Sequence, residues 1–267
     1  MNKVAMTVTL LFGMVVGPYT VFAQAAQQPA TAPDTIQKVN VPEAMKEAQS
    51  DDSSSMYFVE QLAQAHAVQA VSMLELKFER TTDELDKAHV AAALVRLGDK
   101  KNTYWDFLIA AVTKTIENDA PNFNAYDSNG NLIGGPSPEF VAWADRNKLS
   151  HQGLLEQHVY YAAGPTAFLA LTDDPRAIAL LRRALWSPNF MIEIVAAMGL
   201  ARLQDKPSIP WIIEACKLAP AEAAGVIGES LAYFDDPVAQ AAVDLYVSKE
   251  SAKIAREAAA KGKKPLG

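Results

Sequence analysis

A junction spelled three times constrains this chain more than any other feature. Leu171-Thr172-Asp173-Asp174-Pro175, Leu203-Gln204-Asp205-Lys206-Pro207 and Tyr233-Phe234-Asp235-Asp236-Pro237 each run from an apolar or aromatic residue through aspartate to proline. The leading aspartates, Asp173, Asp205 and Asp235, stand 32 and 30 residues apart. Leu97-Gly98-Asp99-Lys100 is a weaker fourth copy without the proline. A period of about 30 residues with helical patterning between the marks indicates helical hairpins stacked as an α-solenoid. The chemistry suits the position. Aspartate caps an incoming helix by accepting from its free amides, and proline, which lacks an amide hydrogen, fits the first turn. The residue in front of the junction closes the previous helix onto the core.

Between these marks the apolar residues recur mostly at three- and four-residue steps. Phe58, Val59, Leu62, Ala63, Val68, Val71, Leu74 and Phe78 form one stripe. Thr81-Thr82-Asp83-Glu84 spells a capping box for the next helix. Further helices are expected near 102–117, 138–147, 151–171, 175–186, 189–203, 207–218, 221–234 and 237–260. Ser137-Pro138 and Ser187-Pro188 read as helix starts, and Gly164-Pro165 breaks the helical pattern it interrupts. One segment, 118–136, is a loop, and its Asn129-Gly130 predicts a tight turn with a small hairpin around it. The expected fold class is therefore all-α: an α-solenoid of helical-hairpin repeats over residues 56–250, with one irregular insert at about 118–136.

The spelling Ala197-Met198-Gly199-Leu200-Ala201-Arg202-Leu203-Gln204-Asp205, followed by Ile209-Pro210-Trp211-Ile212-Ile213, resembles the HEAT-like repeats first described in phycobilin lyases. Asp174-Pro175-Arg176-Ala177-Ile178 followed by Leu180-Leu181 is similar again. The resemblance covers about 165–245 and, more weakly, 84–112. It implies HEAT-like hairpins and a binding scaffold, since proteins with this pattern mostly bind partners and a minority are enzymes or enzyme partners.

The ends of the chain read differently. Lys3, the apolar run Val4–Val16 and the small-x-small triplet Ala23-Gln24-Ala25 come in the order of a secretory signal over residues 1–25. The run is short for a membrane span, so no integral membrane segment is expected after cleavage. Localisation is then periplasmic or secreted, in a bacterium. Residues 26–55 are rich in Ala, Gln, Pro, Thr and Asp and read as a flexible leader, with a docked helix at Pro42–Gln49 as the alternative. Residues 251–267 form a basic helix end and tail, whose lysines offer contact with an anionic membrane surface. The formal net charge of −7 makes nucleic acid a poor partner. Cys216 is the only cysteine, so no internal disulfide forms; its spacing from Ile212 and Ile213 places it on a buried helix face.

No nucleophile elbow, phosphate-binding loop or dinucleotide fingerprint appears, and no catalytic residue, cofactor or metal site is assigned. His151 and His158, seven residues apart, make a weak metal pair. Asp127, Asn129 and Asn131 alternate as in a calcium loop, but Gly130 and Pro138 stand at the wrong loop positions. The candidate binding surface comes from the repeat register. Trp105 and Trp211 each stand six residues after a junction aspartate, while Phe107, Leu181, Ile213 and Val243, two places on, read as the core stripe. Trp105, Trp211, Arg182, Arg183 and Glu214 would then line a mixed aromatic and charged groove, the composition of interface anchors. The expected function is an exported scaffold that binds a protein or peptide; the alternative is an enzyme or enzyme-associated subunit whose site forms only in three dimensions. N-terminal sequencing of the mature protein from its native host should begin at or near Ala26, and a mature chain that keeps Met1 or Asn2 would overturn the export reading.

Overall fold

Helices in this chain are stopped by residues in the left-handed backbone conformation. His66 (φ 49°), Gly98 (φ 82°), Asp173 (φ 56°), Gln204 (φ 55°) and Gly262 (φ 72°) all adopt it. At three of them the same paired hydrogen bonds close the last helical turn: His66 to Ala63 with Ala67 to Leu62, Gln204 to Ala201 with Asp205 to Leu200, and Gly262 to Ala259 with Lys263 to Ala258. These bonds satisfy carbonyls that the helix end leaves open. His66 therefore divides the Phe58–Phe78 stripe between two helices.

The computed structural model describes residues 39–52, 54–98, 101–117, 124–126, 132–136, 138, 142, 163–187, 189–219 and 221–266. Positions 1–25, expected as a signal, and most of the expected helices 138–147 and 151–171 lie outside the described residues. One compact unit takes the described residues of 35–119 and 163–267. Its helices are α1 (Val41–Glu47), α2 (Ser55–Gln64), α3 (Val71–Arg80), α4 (Glu84–Arg96), α5 (Asn102–Glu117), α6 (Pro165–Ala170), α7 (Ile178–Ala184), α8 (Phe190–Arg202), α9 (Ile209–Leu218), α10 (Ala221–Glu229), α11 (Pro237–Tyr246) and α12 (Lys249–Ala260). Single 3₁₀ turns precede α3, α7 and α9, and another follows α10. The second unit, by itself, contains strands β1 (Asn124–Tyr126) and β2 (Leu132–Pro136), paired antiparallel with Asn124 opposite Pro136 and Tyr126 opposite Leu132. They flank the expected Asn129-Gly130 turn, which is itself outside the described residues.

The junction recurs in the structure, but in a different register from the one expected. Asp174, Asp205 and Asp236 occupy the position just before the incoming helical turn, at even steps of 31 residues. The leading residues Asp173 and Asp235 are not the caps. Asp174 accepts from the amide of Arg176, and Asp236 accepts from those of Val238 and Ala239. The inserted Lys206 between Asp205 and Pro207 misleads an alignment made on the first aspartate of each junction. The corrected register is visible in the core. Leu181, Ile212 and Val243 are each wholly buried, as are Ala177, Ser208 and Ala239, and Leu169, Leu200 and Leu231. Ile213 and Phe107, expected in the stripe, are only half-buried, and so are Leu171 and Leu203, expected to close their helices.

α8 is apolar nearly all round, with Ile192, Val195, Ala196, Ala197, Leu200 and Ala201 buried, and it packs on α6, α7 and α10. A helix of this kind belongs in the interior. Gly199 allows the close approach to α6, since a Cβ there would lie 2.8 Å from that of Ala170. Three hydrogen bonds, each spanning 29 residues, tie one junction to the next: Arg202 to Asp173 (2.8 Å), Gln204 to the Tyr233 carbonyl (2.9 Å) and Lys206 to the Asp235 carbonyl (3.1 Å).

Several helix starts also differ from expectation. Asp83, not Thr81, caps α4, accepting from Leu85 and Asp86, because the Thr81 hydroxyl donates back to the Lys77 carbonyl. Asn189, not Ser187, caps α8. The expected helix 237–260 is two helices, because Ser248 caps α12 by accepting from the Ser251 amide. Within 39–52 the docked-helix alternative at Pro42–Gln49 is the arrangement seen. Asn40 caps α1, Ala44 and Ala48 are buried, and Lys77 donates to the Ser50 carbonyl (2.6 Å) while Arg80 donates to that of Gln49 (3.4 Å). Two cationic side chains thus fasten the end of this segment to α3.

Ile212→Ala should lower the free energy of unfolding by about 2–5 kcal/mol, as truncation of a buried Ile does. Ile213→Ala should cost about 1 kcal/mol or less. Denaturant melts followed by circular dichroism compare them, and the reverse order would restore the register based on the leading aspartates.

Candidate functional site

The side chains brought together around α7 and α9 begin with a carboxylate that its own helix does not use. Asp205 precedes the Lys206–Ser208 turn, yet makes no capping bond to it. Its oxygens instead receive Arg182 of α7 side-on: Nε donates to Oδ2 at 2.9 Å and Nη2 to Oδ1 at 2.8 Å. Ser208 Oγ donates to the same carboxylate and accepts from Arg182 Nε at 3.0 Å. Asp205 is 7% exposed. A bidentate pair of this kind fixes the plane of the guanidinium as well as its position. That plane lies over Trp211, on the first turn of α9, with the guanidinium carbon 5.1 Å from the indole centroid. Trp211 nevertheless remains 41% exposed. The result is a large aromatic ring at the surface, held from behind by a cation that is itself anchored to a nearly buried acid.

Trp105 and Trp211 are not equivalent. Trp105 is 9% exposed, on α5, and Arg176 covers it at 4.1 Å from the ring centroid. Arg176 is held by Asp174 through Nε (3.0 Å to each oxygen) and Nη2 (2.6 Å). The expectation that Trp105 lines the same groove therefore fails: it rested on counting from Asp99, which is outside the described residues, and the ring is packed inward. Arg183 and Glu214 stand 31 residues apart at matching points of α7 and α9; Arg183 is exposed, and Glu214 pairs with Lys217 at 2.9 Å. Arg182 and Trp211, both expected, touch. Asp205, read from the sequence as a junction cap, instead holds them together with Ser208; Ser208 was not singled out by sequence reasoning, and neither was Trp186, exposed just beyond the end of α7. The spacing Trp186, Arg183, Ala179 and Arg176 along one helical face was the available signal.

Other ionisable groups converge near the N-terminal helices. Glu60 on α2 accepts from Arg96 Nη1 on α4 at 2.8 Å through both oxygens, lies 3.3 Å from His89 Nε2, and accepts from Gln64 at 3.0 Å. Burial alone would raise the Glu60 carboxyl, but the His89 hydrogen bond and the Arg96 charge outweigh it and bring it down to about 2. His89 also stacks on Phe168 of α6, with centroids 4.2 Å apart. Lys77 donates to Ser55 Oγ at 3.0 Å, which outlines a serine–lysine pair. Ser55 is buried, however, and the ammonium is shared with the Ser50 carbonyl, so the pair acts as a clasp between α2 and α3. Cys216 is buried, and that burial pushes its thiol up to about 12.

Glu193, on the first turn of α8, is half-buried, and its carboxylate has no hydrogen-bond partner among the described residues; burial raises it to about 7. Among the described residues, no group of three His, Cys, Asp or Glu is placed to hold a metal ion, and no helix is long and apolar enough to cross a membrane. His151, His158, Asp127, Asn129 and Asn131 lie outside the described residues. No protein-family model matches the chain, and no curated protein matches it.

The raised Glu193 has a consequence for pH dependence. Its contribution to stability is fully present below the ordinary carboxyl value of 4.5 and is lost as pH rises towards about 7, because the unfolded chain ionises more readily. The lowered Glu60 works in a separate window, stabilising above 4.5 and losing that effect as pH falls towards about 2. Glu193→Gln should therefore gain stability over the parent progressively between these upper limits, by about 1 kcal/mol after allowing for solvent screening. Urea midpoints across that range check it, and a gap that does not grow with pH would show that the carboxyl is not desolvated.

Proposed function

We propose that this chain is an exported HEAT-like helical-repeat scaffold, periplasmic or secreted, that binds a protein or peptide partner on the surface of an α-solenoid. The even 31-residue recurrence of the junction and of three buried core positions supports the repeat reading. Stacked hairpins offer an extended surface larger than a compact domain of the same length. The observation that carries the binding reading is Trp211: a large ring left substantially in water, and stiffened by the Arg182–Asp205–Ser208 cluster. Tryptophan and arginine dominate the energetic anchors of interfaces, and a pre-ordered anchor loses little freedom on binding.

Tagged parent, Trp211→Ala and Arg182→Ala chains, compared by pull-down from the exported fraction of the native host, test this. Trp211→Ala should lose the captured partner while circular dichroism and thermal melting stay near those of the parent. Arg182→Ala should weaken capture too, and should melt lower, because it leaves Asp205 buried without its cation. A Trp211→Ala chain that captures the same partner to the same extent would remove this surface from consideration.

A further inference from the structure

The chain continues past α12 and returns to the junctions. Residues 261–266 leave the helix through the left-handed Gly262 and dock at the first junction, with Pro265 buried. The Pro265 carbonyl accepts from Arg202 Nη1 at 2.9 Å, and Lys264 Nζ donates to Asp173 Oδ1 at 2.9 Å. Asp173 Oδ2 accepts from Arg202 Nη2 at 2.8 Å. Asp173 therefore divides its two oxygens between Lys264 and Arg202. This division leaves a mark: Arg202 is 9% exposed on its side chain, and its Nε is buried with no hydrogen-bond partner. A buried, unpartnered N–H is uncommon and costly in a folded protein.

The same chain shows the alternative arrangement twice. Arg182 meets Asp205, and Arg176 meets Asp174, through Nε and Nη2 together. The oxygen that Arg202 Nε would need, Asp173 Oδ1, holds Lys264 instead.

We propose that residues 261–266 are a releasable latch, held in a notch of Asp173 and Arg202 that recognises a lysyl–prolyl segment, and that Asp173 switches between two arrangements as the latch opens. In the docked state Asp173 is shared, and Arg202 Nε goes unmet. In the released state Asp173 takes Arg202 side-on, Nε is satisfied, and Lys264 returns to water. Each state thus leaves one demand open that the other closes: docked, Arg202 Nε has no acceptor, and released, Arg202 Nη1 loses the Pro265 carbonyl, which is the condition for a two-state element. The balance is fine. The Lys264–Asp173 pair is partly exposed, with side chains 54% and 36% accessible, so it holds weakly. Against the remaining contacts stands the cost of ordering a short chain segment. The segment fits the notch because proline brings no amide hydrogen to be stranded there, while its carbonyl gives Arg202 an acceptor.

Nuclear magnetic resonance of the full chain tests this through two readouts. In the parent, residues 263–266 should be ordered, and the Arg202 Nε–H should exchange with solvent as an unbonded group. Lys264→Ala should drop the order parameters of those residues to about 0.6 or below. It should also slow exchange of the Arg202 Nε–H roughly tenfold, as expected of a newly made hydrogen bond, with the melting temperature unchanged. Asp173→Asn tolerates the left-handed backbone; it should free the tail as well, without slowing Arg202. A tail that stays ordered in Lys264→Ala overturns the proposal. So does a freed tail with no change at Arg202, or a melting temperature that falls with it, since the segment would then be an integral part of the core.

Discussion

A residue other than glycine pays about 1 kcal/mol or more to sit in the left-handed conformation, and this chain holds His66, Asp173 and Gln204 there. These positions set where the helices end, and so which face of the next helix turns inward. From Gln204 the chain passes directly to Asp205, whose carboxylate orders Arg182 and, through it, the ring of Trp211. The side chain of Gln204 reaches the Tyr233 carbonyl of the following junction. One strained residue thus fixes a local turn, the register to its neighbour and the geometry of the surface site.

Most of the described helices were legible in the sequence because they depend on short-range spacing. Helices near 102–117, 189–203 and 207–218 follow from apolar periodicity and lie where it puts them. Helix ends were less legible, because a cap depends on which of several adjacent polar residues wins. Asp83 prevails over Thr81, and Asn189 over Ser187, once the competing hydroxyl has found another partner. The one-residue slip in the junction register has the same origin: the adjacent aspartates at two of the three junctions look like either alignment until the backbone assigns the cap.

The site divides along the same line. Trp211 and Arg182 were legible as residue types at repeat-matched points. Their contact was not, because it joins α7 to the start of α9 through Asp205, at a separation of 23 residues in the chain. Trp105 shows the limit of transferring a role by position alone: an indole six residues after an aspartate is at the surface in one place and packed under Arg176 in another. The Glu60–His89–Arg96 cluster and the buried Lys77 carry no short-range signature, since their partners lie 22 to 36 residues away.

The lone thiol of Cys216 gives the molecule a silent chemical marker. Thiolate, not thiol, reacts with alkylating agents and disulfides, and this group is both buried and pushed up to about 12. Mixed disulfides are therefore suppressed while α9 stays packed on α10, even in oxidising surroundings. Once that packing opens, the thiol falls back to ordinary reactivity. Its rate of modification then counts openings of the packed core around α9, so the chain carries a native clock for its own local unfolding, placed about one and a half turns beyond Trp211 on the same helix.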